Sequence, residues 1–379
     1  MSTAHCRRRE FLAMAGLAAA AGAAPGCLSQ KAAKNEQAFL WGTLIHFGMN
    51  NWFSKPLQKC PFPGGLDAAQ REAVRLEYGR ADHVRFDEAV WEPLSKKLQA
   101  TNNSLVIDVA ECLSYPSHPE LAVKGSWSAD KFRAELRRLR SLGFELIPKL
   151  NFSMTHDIWL GEYHLMVGTR KYYEVVSDLI GDVAEIFDAP RLFHLGLDEE
   201  IATFQADEPV VAVRSRAKWW EDLKFYQNEV ERRGMRAMIW SDFFRHHDGE
   251  SEIAEFKRHM SKAILQNPWW YQAIDKPAFD ETKQNAVRNY VRLSDLGYEY
   301  VMCGSNCYAC DENLEDTVRF CQRRLNPELC RGLIYAPWLE MNATLAPRIV
   351  EGAAQLGRAR ALWESSGKRG RTVFANSRS

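Results

Sequence analysis

Eight short apolar runs, each separated from the next by a segment of helical spacing, restrict this chain to very few folds. They lie at 41–47, 105–109, 145–150, 192–196, 237–240, 264–266, 300–302 and 333–336. Between them the apolar residues recur every three or four positions. Phe132, Leu136 and Leu139 make one such stripe, with Ser128 placed to cap it, and Val175, Val176, Leu179, Ile180, Val183 and Phe187 make another. Three times a helix-ending glycine is followed at once by a strand: Gly143-Phe144-Glu145-Leu146, Gly234-Met235-Arg236-Ala237 and Gly297-Tyr298-Glu299-Tyr300. Glycine accepts the left-handed conformation that closes a helix, so the chain can turn directly into the next strand. Strict alternation implies a parallel sheet covered by helices. Eight strands, with no glycine-rich nucleotide loop after the first, favour closure over an open sheet. The expected fold is α/β: a (β/α)8 TIM barrel, a closed parallel sheet with outer helices.

The first thirty residues read as an address outside that fold. Arg8-Arg9-Glu10-Phe11-Leu12 precedes an alanine-rich apolar run too short to span a bilayer, then Pro25-Gly26-Cys27. This layout resembles a twin-arginine export signal, and Cys27 is a candidate lipidation site. The expected organisation is a signal peptide at 1–30, a barrel at 31–365 and a flexible basic tail at 366–379. The expected location is periplasmic or cell-envelope, with membrane contact only through the signal or a lipid at Cys27. The 49 basic and 49 acidic residues cancel, which gives no bulk electrostatic reason for a nucleic-acid partner. Cys303-x-x-x-Cys307-x-x-Cys310 has cluster-like spacing. It lies near the seventh strand rather than the first, so a disulfide or buried thiols are the better reading, and neither metal nor cofactor is implied.

In a barrel of this kind the functional residues lie at the C-terminal ends of the strands. Those ends supply His46, Asn151 with His156, Asp198 with Glu199, Trp240 with Asp242, Trp269 with Trp270, Tyr308, and Trp338 with Glu340. Carboxylates and indoles recurring on one rim suit a carbohydrate, whose hydroxyls bond to carboxylates and whose apolar faces stack on aromatic rings. The sharpest segment is Phe193-His194-Leu195-Gly196-Leu197-Asp198-Glu199-Glu200. Three acids at a strand end raise one another's pKa, as a general acid requires near neutral pH. Adjacent His246-His247 reads as loop rather than metal ligand.

His194-x-Gly196-x-Asp198-Glu199 resembles the His-x-Gly-Gly-Asp-Glu signature of family 20 glycoside hydrolases, the β-N-acetylhexosaminidases, with Leu197 at the second glycine. Leu142-Gly143-Phe144-Glu145-Leu146-Ile147-Pro148 is similar to that family's helix-to-third-strand segment, and Trp338-Leu339-Glu340 to its Trp-x-Glu after the eighth strand. The resemblance implies a retaining exo-glycosidase. Glu199 would be the general acid/base, and Asp198 would orient a 2-acetamido group whose carbonyl oxygen attacks the anomeric carbon. Trp240, Trp269, Trp270 and Trp338 would wall the sugar pocket, and Glu340 would bind distal hydroxyls. The segment 46–50 lacks the family's arginine for sugar hydroxyls, and Cys303-Gly304-Ser305-Asn306 stands in place of its Tyr-x-Asp. Two other readings of the same rim are a two-carboxylate glycosidase with Glu199 as acid, and a catalytically silent carbohydrate-binding barrel.

Overall fold

A computed structural model describes residues 39–49, 67–69, 82–206, 213–214, 216–275, 281–308 and 310–366. The signal-like segment and the basic tail beyond Ser366 lie outside the described residues. Eight strands, β1 Leu40–His46, β2 Ser104–Asp108, β3 Glu145–Lys149, β4 Leu192–His194, β5 Arg236–Trp240, β6 Leu265–Asn267, β7 Tyr300–Gly304 and β8 Cys330–Tyr335, form a closed barrel in sequence order. Every pairing is parallel, and β8 closes onto β1 with Leu40 opposite Gly332. A long helix follows each strand: α1 Glu88–Leu98, α2 Ala129–Ser141, α3 Arg170–Ile186, α4 Arg216–Glu231, α5 Glu250–His259, α6 Glu281–Asp295, α7 Asn313–Arg324 and α8 Ala346–Ser366. This is the (β/α)8 barrel expected from the alternation.

The local signals act as expected. Ser128 accepts a hydrogen bond from Lys131 N at the start of α2, whose Phe132, Leu136 and Leu139 are buried. Gly143, Gly234 and Gly297 have φ of +90°, +79° and +72°, the left-handed turn that hands a helix over to a strand. Strand residues alternate between two apolar layers. Leu40, Leu44, Val106, Ile147, Leu192, Met238, Leu265 and Val301 fill the barrel interior. Trp41, Ile45, Leu105, Ile107, Leu146, Phe193 and Ile239 face the helices.

Above that inner layer the inward positions become polar. His46, Asp108, Lys149 and His194 stand opposite one another on successive strands. All four are buried. Lys149 Nζ donates to Asp108 Oδ2 at 2.6 Å, and His46 Nδ1 lies 3.1 Å from the same oxygen. Burial works against the Asp108 carboxylate, but the Lys149 charge and the His46 contact outweigh it and hold its pKa below the usual value. Burial, assisted by Lys149, drives His194 down to about 3 and lowers His46 as well. The floor of the mouth is therefore an ion pair flanked by neutral imidazoles.

Candidate active site

Strand β4 ends at His194, and the next residues form the loop that carries the acids. Gly196, Leu197 and Glu199 all have left-handed backbones, with φ of +70°, +69° and +58°. Such a run is unfavourable by roughly 1–2 kcal/mol for each non-glycine residue, and surrounding contacts must impose it. Asn151, after β3, is one source of them: its Oδ1 accepts from Ser153 N at 3.0 Å and Leu197 N at 3.2 Å, and its Nδ2 donates to Asp198 Oδ1 at 3.0 Å. Ser153 Oγ donates to the Asp198 carbonyl at 2.6 Å. A Cβ on Gly196 would stand 1.9 Å from Asn151 Oδ1, so only glycine lets the two segments meet. Asp242, after β5, accepts from Glu199 N at 2.8 Å and fixes the other end.

Leu197 departs from the glycine of the motif without altering the backbone. It keeps the left-handed conformation and is 1% exposed, so apolar burial offsets its strain.

The three acids point to different surroundings. Asp198 lies against His156 (Nε2 to Oδ2, 3.4 Å), and Glu199 meets the same Nε2 at 3.3 Å. Burial works against the Asp198 carboxylate, but the His156 charge and the hydrogen bonds from His156 and Asn151 outweigh it, holding its pKa far below the usual range. Burial likewise disfavours charge on His156. The Asp198 charge, with hydrogen bonds to both acids, reverses the effect and raises His156 to about 9. Glu200 turns away from the mouth: Arg214 Nη1 donates to it at 2.7 Å, Met154 N at 2.8 Å and Gln205 Nε2 at 2.9 Å. Arg214 in turn meets Asp222 of α4 at 2.9 Å. The triplet is thus two mouth acids and one structural acid.

Because His156 is protonated more readily in the folded protein than in a free chain, its proton stabilises the fold below pH 6.5. That contribution is lost as pH rises through about 9. Wild-type thermal stability should therefore fall across this window, and His156→Gln should flatten the fall. Parallel melting curves for the two proteins from pH 6 to pH 10 would refute the pairing.

The rim residues proposed from sequence separate into several groups. Trp240, 1% exposed, packs on His194 at 4.5 Å and on Trp338 at 5.8 Å between ring centroids. Tyr308 is on the surface of the mouth, 52% exposed. Asn151 and Asp242 grip the acid loop, and His46 lies in the buried floor beneath Trp338, with centroids 5.5 Å apart. Trp270 corrects the sequence reading: it is buried in the layer between barrel and helices, while its neighbour Trp269 packs with the inner residues. The parallel bridge between Trp269 and Cys303 sends the two indoles to opposite sides of the sheet. His246 ends a one-turn helix, Phe243–His246, and the described residues contain no group of His, Cys, Asp or Glu able to hold a metal. Cys303, Cys307 and Cys310 are thiols.

Two functional residues escaped sequence reasoning. Arg85, just ahead of α1, is buried with its Nε 3.6 Å from Glu340 Oε1. It is anchored there by the Phe86–Met341 bridge and by Asp87 N donating to the Met341 carbonyl at 2.8 Å. An arginine does therefore reach the eighth-strand carboxylate, but from the far end of the first connection. Tyr271 stacks on Trp269 (5.2 Å, 19°) and meets Trp338 edge-on at 6.1 Å. Its phenol hydrogen-bonds with Trp338 and Cys303 and lies in the field of Asp198. No sequence pattern marked it, because it lies beyond β6 and a β7 residue was sought.

These features define a barrel with a paired-carboxylate site at its C-terminal mouth, walled by indoles and phenols. No family model matches the sequence, and no curated protein matches it. Solved structures share the fold. The chain is similar to the family 20 β-N-acetylhexosaminidase of Streptomyces coelicolor A3(2) (15% identity, 84% of this chain and 64% of that one, TM-score 0.50). It is also similar to a mutant Streptomyces plicatus β-hexosaminidase in complex with its product GlcNAc (13% identity, 87% and 69%, TM-score 0.53). A third likeness is to an inactive mutant of the family 20 exo-β-N-acetylglucosaminidase of Vibrio harveyi (10% identity, 87% and 57%, TM-score 0.54). The chain thus spans between 57% and 69% of the length of these three proteins.

Proposed function

We propose that the protein is a retaining glycoside hydrolase of the β-N-acetylhexosaminidase type, exported by the twin-arginine route and acting on carbohydrate without a cofactor. The observation that carries this reading is the Asp198–Glu199 pair, held on a left-handed loop and bridged by one imidazole, His156. In this reading Glu199, the more exposed of the two, donates its proton to the glycosidic oxygen and then activates water. Asp198 stays ionised and accepts from the acetamide N–H. It steadies the positive charge that develops as the carbonyl oxygen closes on the anomeric carbon. The Tyr271 phenol, in the field of Asp198, supplies a donor toward that carbonyl. Trp240, Trp269 and Trp338 line the sugar, and the Arg85–Glu340 pair holds its distal hydroxyls. The fold likeness to solved hexosaminidases supports the same reading.

Asp242 is a poor nucleophile for a two-carboxylate alternative. Its oxygen already accepts from Glu199 N, and burial lifts it to about 7. The deciding assay compares an aryl N-acetyl-β-glucosaminide with the matching 2-hydroxy glucoside. The first should turn over and the second should not, while binding of both without turnover would identify a silent lectin-like barrel. For export, replacing Arg8 and Arg9 together by lysine should leave the precursor in the cytoplasm. Normal export of that variant would remove the twin-arginine part of the proposal.

A further inference from the structure

The one-turn helix after β5, Phe243–His246, carries a cation whose position no intramolecular partner explains. The Arg245 guanidinium lies 4.1 Å from the Trp269 ring centroid and 5.7 Å from that of Trp270. Its Nε is buried without a hydrogen-bond partner. The neighbouring arginines are all matched: Arg288 and Arg292 meet Asp248 at 3.4 Å and 2.9 Å, Arg214 meets Glu200 and Asp222, and Arg85 meets Glu340. The nearest carboxylate in its own segment, Asp242, is directed to Glu199 N instead.

Position then assigns the vacant charge a side of the site. Tyr308 and His246 each feel both Arg245 and Glu199, which places the three side chains around the outer flank of the proton donor. Tyr308 and Phe204 are exposed there, and Phe204 packs on His246 at 6.0 Å. Asp198, with His156 and Asn151, lies on the inner flank, where the reading above puts the sugar that is cleaved off. A group bonded to the oxygen that Glu199 protonates would extend outward, toward Arg245.

We infer that the natural substrate carries an anionic substituent, a carboxylate or a sulfate ester, on the leaving-group side of the scissile bond, and that Arg245 binds it. This rests on the glycosidase reading for its orientation. Stacking on an indole holds the planar guanidinium in place while leaving its donors free, the arrangement suited to a carboxylate or sulfate. Binding such an anion satisfies a cation that the fold leaves unpaired.

The test uses disaccharides that share the non-reducing N-acetylglucosamine and differ in the reducing sugar: neutral, uronic acid, or sulfate ester. Wild-type kcat/KM should favour an anionic member over the neutral one by on the order of 10- to 100-fold at low salt, the worth of a charged hydrogen bond. That preference should shrink as salt is raised. In Arg245→Gln the ratio should fall to about one, and Arg245→Lys should keep part of it. The carboxylate and sulfate arms identify which anion is meant. Equal wild-type rates on neutral and anionic members, or a ratio that survives Arg245→Gln, would overturn the inference. If none of the disaccharides is cleaved, calorimetric titration separates the two ideas. Charge-dependent binding lost in Arg245→Gln supports the anion site and rejects hydrolysis, whereas binding indifferent to charge rejects the anion site itself.

Discussion

Glu199→Gln should slow hydrolysis of N-acetylglucosaminides with poor leaving groups by about 10²–10⁴-fold, the usual contribution of a positioned general acid. The substitution is nearly isosteric, and the hydrogen bond from the backbone of residue 199 to Asp242 remains, so the loop should keep its shape. What is lost is a transferable proton. An activated aryl leaving group departs without one, and the bond-breaking step on such a substrate should suffer far less. Initial rates across a series of leaving groups would show a much steeper dependence on leaving-group pKa for the variant than for the wild type. Equal slopes for both would mean that another group delivers the proton.

Asp198→Asn should produce a different signature. The carboxylate is held ionised by His156 and Asn151, and its charge is what would stabilise the cyclised intermediate. Removing it should slow good and poor leaving groups alike, by something on the order of 10²–10³-fold, comparable to losing one electrostatic stabiliser. A thiazoline analogue of the cyclised acetamide should bind more weakly by a similar factor, since it resembles the state that Asp198 supports. The substitution also withdraws the charge that most favours protonated His156. Unchanged thiazoline affinity alongside slow turnover would reject acetamide participation while leaving Glu199 as acid.

The barrel was legible because its signals are local and periodic. Eight apolar runs, the Ser128 cap and the three helix-closing glycines each act within a few residues, and strand ends then locate a rim by geometry alone. Asp198 and Glu199 could be placed for the same reason. The rest depends on which side chains meet across strands. The ring of His46, Asp108, Lys149 and His194 draws one residue from each of four strands and has no signature along the chain. Arg85 reaches Glu340 only because the first connection returns to the eighth strand at Met341. The division of labour between Trp269 and Trp270 is decided by a single bridge to Cys303. Glu200 reads as a third rim acid until Arg214 is seen to claim it.

Consecutive residues Asp198, Glu199 and Glu200 serve three separate addresses: an imidazole with an amide, the open mouth, and an arginine behind the wall. Each address is reached by the handedness of one backbone step rather than by the reach of a side chain. Such a segment has the logic of a reading frame. A single insertion or deletion would send each carboxylate to its neighbour's place, putting the proton donor against Arg214 or the buried acid into the mouth. Drift at exposed positions around the rim can reshape what the pocket accepts, but the length of this loop is the quantity the chemistry cannot let vary.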